Sequence, residues 1–242
     1  MADLAGLLED LVTANRILAA EGIVDSFGHV SVRHPDDPKR YLLSRARAPD
    51  CIEADDIVTY QLDGIAVDAN GRAPYRERFI HGAIYEARPD VQSVVHNHSP
   101  SVIPFGVTPQ KLRPLMHVCS HMGHEVPTWD SQNKFGDTTL LVEDMAMGRD
   151  LAKALGKRPT ALMRGHGCVA VGSSIQYAVY IAIYLELGAK LQMQAMQMGK
   201  IKFLTKGEVD RIVKRMSPYS LNRAWENWCR RANRPVRLMA EK

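Results

Sequence analysis

Long apolar runs are missing from this chain. Nothing approaches the ~20 consecutive apolar residues of a bilayer-spanning helix, so no membrane partner is expected. Met1–Ala20 sets acids among its apolar residues, and no signal peptide is expected there. Paired cysteines are missing too. Cys51, Cys119, Cys168 and Cys229 are scattered with no C-x-x-C, which reads as buried, reduced thiols in a cytoplasmic protein. Excess charge is small, a net +4 over 242 residues. That balance suits an anionic small molecule and gives little support to nucleic acid as a partner. Internal repeats, low-complexity segments and linkers are absent from the sequence as well. What remains, 45% hydrophobic and 24% charged residues, is the composition of a globular protein able to bury a sizeable core. Residues 1–216 are read as the main domain. Residues 217–242 form a tail with Trp225, Trp228 and five arginines, read as packing on its own or a neighbouring subunit.

The stretch Pro74–Pro100 organises the rest. Val94–His98 reads as a strand, in which residues two apart share a face, so His96 and His98 present two imidazoles side by side. Glu77 precedes the helical segment Arg78–Ala87, which can run back along the strand and bring that carboxylate over the histidines. Arg164-Gly165-His166-Gly167 offers a third imidazole, with glycines on both sides that let the backbone turn sharply.

Around this stretch, Leu4–Glu21 is an amphipathic helix, and His29–Arg33, Arg40–Ser44 and Asp55–Asp63 read as strands. Thr160–Met163 and Cys168–Val171 read as further strands flanking His166. Asp150–Leu155, Ile175–Gly199 and Glu208–Met216 read as helices, the second apolar nearly all round in its first half. The loop Ser44–Pro49 carries Arg45 and Arg47, either a solvated charged turn or a clamp for a carboxylate or phosphate. His117, His121 and His124 form a second histidine group. Their spacing would align them on one helix face, but Gly123 and nearby prolines weaken a helix there, and the group reads as packing mixed with active-site lining.

Three neutral imidazoles hold Zn²⁺, Mn²⁺, Fe²⁺ or Co²⁺ and leave positions open for substrate. Glu77 is then either a fourth ligand or a general acid/base. Such a centre works as a Lewis acid, stabilising an oxygen on which negative charge develops.

Taken together, Glu77, Ala83-Ile84-Tyr85-x-Ala87-Arg88-Pro89-Asp90, His96-Asn97-His98 and Arg164-Gly165-His166-Gly167 resemble the class II aldolase/adducin superfamily over roughly residues 5–200. The resemblance implies an α/β fold, three-layer α/β/α around a largely antiparallel sheet, usually a homotetramer with the metal near a subunit boundary. It implies His96, His98 and His166 as metal ligands and Glu77 as the acid/base. Val24–Ser31, Ser44-Arg45-Ala46-Arg47, Glu77-Arg78-x-Ile80-His81-Gly82 and Trp225-Glu226-x-Trp228 are similar to aromatic-acid decarboxylases of that superfamily, acting on 3,4-dihydroxyphthalate or 3-hydroxy-2-methylpyridine-4,5-dicarboxylate. Gly28-His29-Val30-Ser31 departs from the Gly-Asn-x-Ser of the sugar-phosphate aldolases. On this reading Ser44, Arg45, Arg47, Arg78 and His117 are candidates to hold the substrate, and His81 to orient Glu77 or donate a proton. An aldolase on a small hydroxy-carbonyl compound and an Fe(II) oxygenase are the competing activities. An adducin-like scaffold without metal is the non-enzymatic one.

Overall fold

The computed structural model of the chain describes residues 3–240. Residues 1–2 and 241–242, the ends of the expected 1–216 and 217–242 segments, lie outside them.

The first helix, α1 (Leu4–Ala20), starts where the Asp3 side chain accepts from the Gly6 amide, and buries Leu11, Ile17 and Leu18. Three strands follow, β1 (His29–Arg33), β2 (Arg40–Ser44) and β3 (Ile57–Gln61), then α2 (Arg78–Ala87) and β4 (Ser93–Asn97). After β4 come the short α3 (Ile103–Val107), a 3-10 turn at His117–Met122, β5 (Thr128–Trp129) and α4 (Gln132–Phe135). The remaining elements are α5 (Met145–Leu155), β6 (Thr160–Met163), β7 (Gly167–Gly172), α6 (Ile175–Met198), α7 (Lys206–Lys214) and α8 (Pro218–Arg231).

The seven strands form one sheet in the order β3-β2-β1-β4-β7-β6-β5. Every pair is antiparallel except β5 with β6. Side-chain alternation divides the core into two faces. Val30, Val95 and Ala170 pack against α1, α6 and α8. Tyr41, Val94, Val169 and Val171 pack against α2 and α5. Helices therefore cover both faces, giving the α/β fold in three layers with a largely antiparallel sheet. Trp225 and Trp228 of α8 are buried in the cluster with α1 and α6, on the chain's own core.

Element boundaries shift from the sequence reading where a cap decides. The helix expected over Asp150–Leu155 starts at Met145, because the Asp144 side chain accepts from the Met147 amide. The strand expected over Asp55–Asp63 is Ile57–Gln61, preceded by a 3-10 turn at Ala54–Asp56. β4 ends at Asn97, so His98 lies just beyond it. His117–Met122 is a 3-10 turn and not an α-helix, so four-residue spacing does not bring His117 and His121 together there.

Candidate metal centre

β4 and β7 carry the site on the α2 face of the sheet. His96 shares that face with Val94, and the register pairs it with Val169 on β7 and His29 on β1. His166 sits in the turn between β6 and β7. Gly165 has φ +67°, and a Cβ on Gly167 would stand 2.1 Å from the Asn97 carbonyl oxygen, so glycine is required at both positions for the turn to close over β4. Glu77 is the N-cap residue of α2. α2 lies across the sheet with Ile80, Ile84 and Tyr85 in the core, and this fixes where the carboxylate stands.

The result is one converging group. Ligand atoms of Glu77, His96, His98 and His166 all lie within 4.8 Å of one another. His96 Nε2 is 3.2 Å from His98 Nε2 and 3.6 Å from Glu77 Oε2, and His166 Nε2 is 3.4 Å from Glu77 Oε2. Donors about 2.1 Å from a shared ion, at angles between 90° and tetrahedral, stand about 3.0–3.4 Å apart, so the spacing suits a cation.

The hydrogen bonding suits one as well. His96 Nδ1 lies 3.1 Å from the Cys168 carbonyl, an acceptor only, so Nδ1 holds the hydrogen and Nε2 turns its lone pair toward the cluster. The Val142 amide donates to Glu77 Oε1 at 3.0 Å, leaving Oε2 for the imidazoles. Both ring nitrogens of His166 are buried with no hydrogen-bond partner among the described residues, a costly state for a polar group unless a ligand satisfies it. Nitrogen and carboxylate donors of this kind hold Zn²⁺, Mn²⁺, Fe²⁺ or Co²⁺, and the residues present fit a divalent metal.

Electrostatics point the same way. Burial opposes a charge on Glu77, but the His96 and His166 imidazoles outweigh it and hold the carboxyl well below the usual range. Burial, then the neighbouring His96 and His166, lower His98 to about 4, which keeps its imidazole neutral and available as a donor.

Beside the cluster lies a cavity of about 490 Å³ that Glu77 and His98 share with Phe27, His29, Tyr75 and Leu141 and with the arginines Arg47 and Arg76. It has apolar walls and two arginine corners, Arg47 paired with Asp56 and Arg76 lying 3.5 Å from Glu143. Of the substrate residues expected from sequence, Arg47 lines it. Arg45 and Arg47 are both paired with Asp56, Arg47 Nη1 at 2.7 Å from Oδ2. Burial opposes that carboxylate's charge, yet bonds from Arg45, the Glu53 amide and Arg47 bring Asp56 down to about 2. Arg78 donates to the Gly64 and Tyr75 carbonyls and lies over the Phe79 ring. Ser44 is fully buried. Neither residue, nor Arg45, lines the cavity. His81 is fully buried behind His29.

His117 is exposed on the α6 side of the sheet, in a groove with Tyr180, Tyr184 and Arg223. The structure therefore does not bring it to the metal cluster of its own chain. Missed by sequence reasoning were Arg76, Tyr75, His29 and the Val142 amide. The first two were legible only as neighbours of Glu77; a backbone amide 65 residues further on left no signal.

Residues 9–193 match the family model described as class II aldolase and adducin N-terminal domain. The chain is 35% identical to decarboxylase TropJ of Talaromyces stipitatus, over 90% of this chain and 91% of that one. It is 30% identical to the 3,4-dihydroxyphthalate decarboxylase of Arthrobacter keyseri, over 81% of each. Among solved structures, an aldolase II superfamily protein from Pseudomonas syringae superposes with a TM-score of 0.80 at 22% identity, over 96% of this chain and 94% of that one.

Proposed function

This chain belongs to the class II aldolase and adducin family, and within it we propose a divalent-metal-dependent, non-oxidative decarboxylase of a hydroxylated aromatic dicarboxylate. The chain is an enzyme of the lyase class. The observation that carries the narrower reading is the cavity. Phe27, Tyr75 and Leu141 offer the faces that an aromatic ring packs against, and Arg47 and Arg76 offer charges for its carboxylates. The relatives named as decarboxylases support the same choice.

His96, His98 and His166, with Glu77 beside them, would hold a divalent metal, which when bound would supply Lewis acidity to the site. The chain's own residues do the rest. Arg47 and Arg76 orient the diacid and offset its charge, while Phe27 and Tyr75 confine the ring and exclude water. Glu77, kept ionised, takes the hydroxyl proton at Oε2 and returns it to the ring carbon bearing the carboxylate that leaves. The bond from that carbon to the carboxylate then breaks, CO₂ departs and its electron pair restores the ring. Solvent later reprotonates the phenolate.

The assembly proposed is a cytoplasmic homotetramer with residues 217–242 as its appended tail. His117 faces away from its own chain's cluster, so as a substrate residue it would act across a subunit boundary.

The test is CO₂ release from 3,4-dihydroxyphthalate and from 3-hydroxy-2-methylpyridine-4,5-dicarboxylate by metal-reconstituted protein, with metal-stripped protein as control. Metal-dependent release from either supports the reading. No CO₂ with metal bound sinks it; aldehyde release from hydroxy-carbonyl compounds would then indicate an aldolase, and O₂ uptake an oxygenase.

A further inference from the structure

Behind the cavity runs a file of four polar side chains buried against α2. His29 lines the cavity. Its Nδ1 lies 2.6 Å from His81 Nε2, His81 Nδ1 lies 2.6 Å from Ser31 Oγ, and Ser31 Oγ lies 2.7 Å from Tyr85 OH. His29 is 3% exposed, His81 and Ser31 0%, and Tyr85 1%, so water is not available to rearrange these bonds.

The direction of the chain follows from counting hydrogens. Among the described residues, the acceptor within reach of the Tyr85 hydroxyl hydrogen is Ser31 Oγ. A buried phenol hydrogen left without an acceptor is costly, so Tyr85 donates to Ser31. Ser31 must then send its own hydrogen to His81 Nδ1, which makes that nitrogen the acceptor. With Nδ1 accepting, the His81 ring hydrogen sits on Nε2 and is donated to His29 Nδ1. With Nδ1 accepting from His81, His29 carries its hydrogen on Nε2. That nitrogen makes no hydrogen bond among the described residues and lies on the ring edge away from His81. The ring is held in place by Tyr75 and His96, at centroid distances of 4.6 and 5.1 Å.

We propose that His29 is a substrate-positioning residue, a hydrogen-bond donor fixed as the Nε2–H tautomer and aimed at an anionic oxygen of the ligand, with His81, Ser31 and Tyr85 as the positioning residues that set that tautomer. The proposal rests on reading the cavity as the substrate site. It gives a function to the histidine that stands at Gly28-His29-Val30-Ser31, and it reads His81 as acting through His29. A site built this way selects a ligand with an acceptor oxygen at that point, because a fixed donor without a partner is a penalty.

The test uses the full chain loaded with zinc, which is diamagnetic. Solid-state ¹⁵N NMR of histidine-labelled protein, with His29→Gln for assignment, reads the tautomer directly. The expected result is protonated Nε2 and bare Nδ1 at His29, with Ser31→Ala mixing the two forms. Calorimetry with benzene-1,2-dicarboxylate as probe should show affinity falling on the order of tenfold in His29→Leu, with partial recovery in His29→Gln. Catechol, which lacks the carboxylates, should bind all three proteins alike. A His29 carrying its hydrogen on Nδ1, a tautomer indifferent to Ser31→Ala, or unchanged diacid affinity in His29→Leu overturns the proposal. None of these readouts needs turnover. A correct tautomer in protein that releases no CO₂ would remove the decarboxylase reading and leave the donor standing.

Discussion

His96, His98 and His166 come from a strand, its end and a distant turn, and they converge with Glu77. His117, His121 and His124 come from one short segment, and each goes its own way. His117 is exposed, His121 bonds the Tyr177 hydroxyl at 2.8 Å, and His124 lies 3.4 Å from an Arg113 nitrogen. The difference lies in what satisfies each imidazole. In the second group, buried His121 is engaged by the Tyr177 hydroxyl through Nδ1, and among the described residues the three rings do not gather into a set of ligand atoms. In the first, His96 is anchored through Nδ1 so that Nε2 faces the cluster, and among the described residues His166 has no hydrogen-bond partner on either nitrogen. A metal site is recognised by donors left without partners, and closeness along the chain says little about that.

Removing a donor from the converging group should break the contrast most strongly. His166→Ala is expected to lose its metal and to reduce decarboxylation by roughly 10³-fold or more, whereas His124→Ala retains both; metal analysis and CO₂ release measure this. Glu77→Gln comes next. With the imidazoles intact it should keep measurable metal affinity while activity falls about 10²–10⁴-fold, as expected for loss of a positioned acid/base. Inactivity together with an empty site would instead make Glu77 chiefly a ligand. Stripping the metal from wild type should then lower the thermal midpoint by on the order of 10 °C, since a ligand held at a thousand times its Kd stabilises by about 4 kcal/mol. His166→Ala should show no such response to metal.

The smallest effect belongs to the second group. Burial lowers His121 to about 4, so between pH ~6.5 and 4 the unfolded chain takes up a proton there that the folded chain does not. Stability from this group is thus present above pH ~6.5 and lost as the pH falls toward 4, at no more than about 1.4 kcal/mol per pH unit. His121→Phe should flatten that limb of a denaturation-against-pH series without touching metal affinity. An unchanged limb would show that His121 is not held neutral.

How much of this was legible beforehand depends on how local each cause is. The alternation in His29–Arg33 and the glycines around His166 are local, and they gave the strand and the turn directly. The convergence of Glu77 on His96 needed only one helix and one strand of plausible length. The arginine loop was not legible in the same way. Arg45 and Arg47 looked equally free for a substrate carboxylate, but Asp56, brought beside them by the β2–β3 pairing, pairs with both, and of the two Arg47, bonded to it through Nη1, is the one that also lines the cavity. His117 was assigned to substrate with no means of knowing that α6 and the sheet stand between it and the cluster. The relay behind His29 was hidden for a related reason. Ser31 and His81 are fifty residues apart and meet only because α2 packs on β1.

The most direct test of the metal centre is a calorimetric titration of metal-stripped protein with Zn²⁺ or Mn²⁺, run in parallel on wild type, His166→Ala and His124→Ala. One tight ion per chain is expected in wild type and in His124→Ala, and none in His166→Ala. Tight binding that survives His166→Ala, or that disappears in His124→Ala, would contradict it.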